Sequence, residues 1–294
     1  MLFPARPPVL ISLARRSGWL NRCASVPEVH PIAFAHRGFS PEGAENSMAA
    51  FRAAVDLGYR YLETDARVSS DGVAVAFHDD VLDRVTNDTG RLHDLTWRQI
   101  STARIQAREP IPRLDEVLAA FPEVHVNIDV KSDAAVGPTL DALRRTDSWD
   151  RVRLAAFSHR RIMMLRSAAG PRVATSLSPN EILALRSESL ARRWAARPVS
   201  LLARGAELLP TGDPQLFGPT DRPRAAQVPA GPRWLALVDR AFLDNAHRRG
   251  IDVHVWTVND PAQMMRLLDL GVDGIMTDRA DLLRDVLTRR GQWL

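Results

Sequence analysis

The stretch PIAFAHRGFSPEGAENSMAAFRAAVDLGYRYLETDARV, residues 31–68, carries the unit from which the fold is read. PIAFAH (31–36) and YLETDARV (61–68) are short apolar runs of strand type. Between them, ENSMAAFRAAVDLG places Met48, Phe51, Ala54 and Val55 at helical spacing, with Gly58 at its stop. Strand, helix, strand is the device that the rest of the chain repeats. Further strand runs are VHVNIDV (124–130), RVRLAAF (151–157), RVATSL (172–177), RAAQV (224–228), DVHVWTV (252–258) and DGIMT (273–277). Helical patterns such as HRRIMMLRSAAG, DPAQMMRLLDLG and ADLLRDVLTRRG lie between them. VAVAFH (73–78) follows SSDG (69–72), which has hairpin-turn chemistry, so this run is an additional strand after the second. Eight strands alternating with helices predict an α/β fold, the (β/α)8 TIM barrel. An open doubly wound sheet has the same alternation, but AHRGFSPEG lacks the G-x-G-x-x-G loop expected after its first strand. Residues 31–294 are read as one domain, with 1–30 as an N-terminal extension. The segment 179–223 is irregular: an outer barrel helix with a solvated arginine face, or a lid or lipid-facing flap.

Bulk properties narrow the function. The 294 residues are 45% hydrophobic and 25% charged, ordinary for a globular protein with a sizeable core. The formal charge of +4 is mild and the basic residues are scattered with few aromatics among them, which argues against nucleic-acid binding. Cys23 is alone, so neither an internal disulfide nor a thiolate metal cluster can form. No apolar run approaches the roughly 20 residues that span a bilayer. The first 30 residues make a poor secretory signal, their apolar piece being interrupted by Arg15 and Arg16. The expectation is a cytoplasmic protein, with peripheral membrane contact through the extension left open.

In a barrel, catalytic groups gather at the C-terminal ends of strands. Four strand ends here are rich in chemistry: His36-Arg37-Gly38, Glu63-x-Asp65, His78-Asp79 and Asp129-x-Lys131. Residues two apart on a strand share a face, so Glu63 pairs in direction with Asp65, and Asp129 with Lys131. Three carboxylates with two histidines and no cysteine suit a hard cation, Mg2+ or Ca2+. Lys131 is the only lysine among 39 basic residues, where a generic charge would have been arginine. Each feature alone has a bland reading; their joint appearance at successive strand ends points to a site.

The stretch AHRGFSPEGAENSMAAFRAAVDLGYRYLETDARVSSDGVAVAFHDDVLDRVTNDTG (35–90) resembles the signature of the glycerophosphodiester phosphodiesterase family: HRG, P-E-N-T, E-x-D, then DG…HD…L-x-R-x-T…G. Downstream, NIDVK, VHVWTVND and GVDGIMTDRADLL resemble that family's I-E-I-K, W-T-V-N and G-V-D-G-I-x-T-D-x-P. The resemblance implies a metal-dependent barrel enzyme that hydrolyses glycerophosphodiesters to glycerol 3-phosphate and an alcohol. It implies His36 and His78 as the acid–base pair and Glu63, Asp65 and Asp129 as ligands of a divalent metal ion. It also implies Arg37 and Lys131 near the phosphate, Trp256 as an aromatic wall, and Glu45 and Asn46 as supports beside the site.

The chain departs from the pattern at GAENS for P-E-N-T, at Asp129 for the family's glutamate, and at Ala280 for its usual proline. The aspartate also resembles the related sphingomyelinase D enzymes. Lysophospholipase D-like or sphingomyelinase D-like action on lysolipids is therefore one alternative. A non-catalytic barrel binding phosphorylated ligands is another, although every acid, base and ligand position is filled by a competent residue type.

Overall fold

In the computed structural model the described residues are 30–195, 224–231 and 237–293. Most of the expected N-terminal extension, and the 179–223 segment beyond residue 195, lie outside them. The eight strands read from the sequence form one parallel array: β1 (Ile32–His36), β2 (Tyr61–Val68), β6 (His125–Val130), β7 (Val152–Ala155), β8 (Ala174–Thr175), β9 (Arg224–Pro229), β10 (Ile251–Trp256) and β11 (Gly274–Thr277). Each pairs with its neighbour in chain order, β11 pairs back on β1, and a parallel bridge from Ser176 to Ala225 joins β8 to β9. The result is a nearly closed TIM barrel. The additional strand is β3 (Ala74–Ala76), antiparallel to β2 through the Ser69–Gly72 turn. A small hairpin, β4 (Arg104–Ile105) with β5 (Glu109–Pro110), and the one-turn helix α2 (Trp97–Ile100) also stand before β6, where the sequence showed no period.

Outside the strands run α1 (Met48–Asp56), α3 (Leu114–Ala120), α4 (Val136–Thr146), α5 (His159–Ala169), α6 (Pro179–Ala195), α7 (Arg240–Arg248), α8 (Pro261–Leu270) and α9 (Ala280–Arg289). Side-chain caps set the starts of α1, α5, α7 and α8. Ser47 Oγ accepts from Ala50 N–H at 3.1 Å, and Asp260 accepts from Gln263 N–H at 2.7 Å with Pro261 next in line. The described part of the 179–223 segment is thus a helix, α6, which packs on α7 as an outer barrel helix.

Strand alternation separates two cores. Val126, Ile128 and Val130 of β6 are fully buried toward the helices, with Leu140 and Leu143 of α4 in the same cluster. Each such side chain contributes roughly 1.5–3 kcal/mol by leaving water. The opposite face of β6 looks into the barrel, where Asn127 Oδ1 accepts from Gln227 Nε2 of β9 at 2.7 Å. Apolar strand residues therefore anchor the helices, and the inward set is free to be polar near the C-terminal ends.

At the other end of the barrel wall, His247 of α7 bonds Asp273 through Nε2 at 2.7 Å, and Asp273 also accepts from Val253 N–H. That bond to Asp273 raises the imidazole pKa. A raised folded-state pKa adds stability that is complete below the unfolded value and disappears as pH climbs through the folded one. The melting temperature of wild type should therefore exceed that of His247→Gln at about pH 5.5, and the gap should close by about pH 8.5. The effect is small because the ring is partly exposed and solvent screens the pair.

Candidate active site

Register decides which strand-end side chains meet. His36 of β1 lies beside Glu63 of β2, and Asp65 of β2 lies beside Asp129 of β6. A cavity of about 440 Å³ opens over them. It is lined by His36, Arg37, Glu63, Asp65, His78, Asp129, Lys131 and Trp256, so every one of these sequence-selected residues reaches one site. Glu45 and Asn46 do not line it; they brace it from behind.

The first loop opens on two successive left-handed residues. Arg37 has φ 57° and Gly38 φ 84°. A Cβ on Gly38 would come within 2.6 Å of the Ala50 carbonyl carbon, so no other residue fits. The turn points the Arg37 N–H at Glu63 Oε2 (3.2 Å) and its Nη1 at Glu45 Oε1 (2.9 Å), while Nε lies 3.2 Å from Asp65 Oδ2. Asn46, buried and left-handed at φ 58°, ties the loop to β2. Its Nδ2 donates to Asp65 Oδ2 (2.9 Å) and its Oδ1 accepts from Thr64 Oγ1 (2.7 Å). Asn46→Ala loses both bonds and keeps the backbone strain, so chemical denaturation should show a loss of roughly 2–4 kcal/mol.

Each histidine has a carboxylate behind it. His36 Nδ1 lies 2.6 Å from Asp278 Oδ1, and Asp278 Oδ2 accepts from Asn259 Nδ2 at 2.8 Å. His78 Nδ1 lies 2.6 Å from Asp79 Oδ1. With Nδ1–H donated to a carboxylate, Nε2 of each ring is the nitrogen left for chemistry. For His36, burial works against protonation, but Glu63, 3.8 Å from Nε2, and the Asp278 bond outweigh it and raise the pKa. Burial lowers that of His78, and the Arg37 and Lys131 cations add to the effect.

The carboxylates form a dense buried group. Lys131 Nζ stands between Asp65 Oδ1 (2.7 Å) and Asp129 Oδ2 (2.6 Å), and 5.6 Å from the Phe157 ring centroid. Lys131 and Arg37 overcome burial and hold the Asp65 pKa down, whereas burial raises that of Asp129. Burial, followed by the Asp65 charge, lifts Glu63 to about 7. Among the described residues no three of these groups yet close round a common point as metal ligands. The donor set nevertheless fits a hard divalent cation. Asp129 Oδ1 is buried with no hydrogen-bond partner, and three carboxylates crowded this closely call for more positive charge.

A sequence profile of the glycerophosphoryl diester phosphodiesterase family matches residues 36–282, nearly the whole described barrel. The chain belongs to that family. It is 38% identical over 264 residues, covering 89% of this chain and 92% of the other, to a probable glycerophosphodiester phosphodiesterase 2 of Mycobacterium tuberculosis. It is 26% identical over 270 residues to a human lysophospholipase D, covering 86% and 84% of the two chains. Among solved structures, a phosphodiesterase described as a putative glycerophosphoryl diester phosphodiesterase from Silicibacter pomeroyi superposes with a TM-score of 0.68 at 22% identity, over 90% of this chain and 95% of that one. That last likeness concerns the fold. Family membership makes the chain a phosphoric diester hydrolase.

Sequence reasoning on this phosphodiesterase passed over several residues that the site uses. Asp278 and Asn259 sit within the GIMTD and WTVND stretches without having received a role; their position just beyond strand ends was the signal. Phe157 follows β7 and makes an edge-on contact with Trp256, ring centroids 5.5 Å apart at 78°. Arg84 lies in the L-x-R-x-T element and had no assigned task.

Proposed function

We propose that this phosphodiesterase hydrolyses small glycerophosphodiesters to glycerol 3-phosphate and an alcohol, with His36 and His78 as acid–base pair and a divalent cation held by Glu63, Asp65 and Asp129. The observation that carries this reading is the pair of carboxylate-backed imidazoles opening on the cavity that also contains Lys131, Arg37 and the three acids. One imidazole takes a proton from the attacking hydroxyl and the other gives a proton to the departing alkoxide. Attack by water gives glycerol 3-phosphate directly, whereas attack by the substrate's own glycerol 2-hydroxyl gives a cyclic phosphate that a water then opens to glycerol 3-phosphate. The arginine fork and the lysine point charge orient and neutralise the phosphate oxygens. Bound at the acids, a Mg2+ or Ca2+ ion would add further neutralisation and acidify a hydroxyl.

The test is an assay of purified protein with glycerophosphocholine and glycerophosphoethanolamine. Activity should vanish in EDTA and return with Mg2+ or Ca2+. Turnover that ignores EDTA would remove the cation from this reading, and no release of glycerol 3-phosphate would remove the substrate.

A lysophospholipase D-like reading has one observation of its own. Part of the cavity wall is apolar: Phe157, Leu177, Ile182, Leu183, Leu237 and Trp256 line it. Phe157 is 62% and Leu183 64% exposed, at positions where a hydrocarbon chain would cover them. Should that wall serve a lipid tail, Leu183→Glu will cut turnover of lysophosphatidylcholine about 5- to 30-fold, the scale of one lost apolar contact of about 1–2 kcal/mol. Glycerophosphocholine turnover will stay near wild type. Equal effects on both substrates would discard the lipid reading.

A further inference from the structure

Arg84 of the HD…L-x-R-x-T element has no task in the reaction above, yet its guanidinium makes four hydrogen bonds at the site's rim. Its Nε donates to Asp79 Oδ2 at 2.5 Å and its Nη2 to Asp79 Oδ1 at 3.2 Å. The same Nη2 donates to Glu45 Oε1 at 2.6 Å and Nη1 to Glu45 Oε2 at 3.2 Å. Two forks thus grip two carboxylates, one on each side of a single guanidinium.

Both carboxylates are already engaged with the reacting groups. Asp79 Oδ1 holds His78 Nδ1, and Glu45 Oε1 holds Arg37 Nη1. The continuous chain is therefore His78, Asp79, Arg84, Glu45, Arg37, Asp65, alternating in sign from Asp79 to Asp65. It crosses between two separate loops, the one after β1 that carries Arg37 and Glu45 and the one after β3 that carries His78, Asp79 and Arg84. Arg84 itself does not line the cavity.

We propose that Arg84 is a positioning residue that locks the imidazole of His78 and the guanidinium of Arg37 in register with one another, acting through Asp79 and Glu45. Without it, Asp79 and Glu45 each lose their shared partner, and the two loops are no longer tied at the rim. Its guanidinium is also what keeps the Asp79 carboxylate, held down to about 2, from depending on His78 for a counter-charge. The Asp79 bond can then orient the ring and fix its tautomer rather than simply charge it. A lysine cannot repeat this, because one ammonium has no planar pair of forks. An exposed ion pair alone is worth little to stability, and the side chain of Arg84 is half exposed, so its removal should spare the fold.

The inference rests on the acid–base reading proposed above, and its test separates the two. Arg84→Ala and Arg84→Lys are compared with wild type for kcat, KM and melting temperature, and the His78 tautomer is read by 15N NMR of the imidazole. For Arg84→Ala, kcat should fall on the order of 10–100-fold, the scale of a small misplacement of a reacting group, with the melting temperature nearly unchanged. Arg84→Lys should recover only a small part. Guanidinium chloride should restore part of the Arg84→Ala rate, beyond an equal concentration of sodium chloride. Asp79→Asn added to Arg84→Ala should cost much less than the product of the two single effects. In the NMR spectrum, wild type should show the Nδ1–H form of His78 and Arg84→Ala a mixture. Unchanged kcat in Arg84→Ala, full recovery by lysine, independent effects of the two substitutions, or an unaltered His78 tautomer would each overturn the proposal. A protein with no phosphodiesterase activity in any form would sink the acid–base reading, while the NMR comparison would still judge the clamp.

Discussion

Alanine at His36 should slow turnover by roughly 10²–10⁴-fold, the usual contribution of a positioned acid or base, with little change in KM. The same is expected at His78. Neither ring anchors the core: each stands at a strand end with its Nδ1 on an aspartate and its other face on the cavity. Circular dichroism and melting temperature should therefore stay close to wild type. The effects should combine far below the product of the singles, because one reaction needs both proton transfers and a site lacking one already runs by a slower route. Steady-state kinetics of the two singles and the double variant decide it. A His36→Ala or His78→Ala protein with wild-type kcat would remove that histidine from the chemistry.

The second large effect is at Lys131. Substitution by methionine leaves the carboxylates of Asp65 and Asp129 facing each other without the ammonium that now lies 2.7 and 2.6 Å from them. Breaking a buried ion pair from one side costs about 3–5 kcal/mol. A fall in melting temperature of several degrees is expected for a chain of this size, and it should be measured in EDTA so that no added cation takes the place of the ammonium. Lys131→Arg tests geometry instead of charge. The planar guanidinium cannot put a single donor point between two acids and beneath Phe157. The arginine variant should stay folded by circular dichroism and lose about 10- to 100-fold in kcat, as expected for a charge displaced by an ångström or so. Wild-type turnover in Lys131→Arg would mean that this lysine is a chance survivor in an arginine-rich chain.

The barrel was legible because its strands are short apolar runs and its helices carry a clean 3.6-residue period, as in IAFAH against MAAFRAAVD. The strand ends were legible for a different reason: charged residues inside or beside an apolar run, as in YLETDARV and HVNIDVK, have no structural explanation and mark the mouth of the barrel. What could not be read were partners distant along the chain. Asp278 meets His36 across 242 residues only because β11 pairs with β1 and closes the cylinder. Arg84 sits on a loop whose path no periodicity describes, and its bonds to Glu45 depend on how two loops meet. The apolar wall of Phe157 and Leu183 likewise arises from the end of β7 and the first turns of α6 converging, each unremarked in its own segment.

By itself the sequence determined the elements, their order and the kinds of chemistry at four strand ends, because hydrophobic period and residue type are local properties. Only the tertiary structure decided which groups touch. Strand register put His36 beside Glu63 and Asp65 beside Asp129, closure of the barrel gave His36 its aspartate, Asp278, and packing set Lys131 between two acids. Hydrogen bonds and charge–charge forces act over a few ångströms in space, and only the closed barrel brings residues so far apart in the chain within that range.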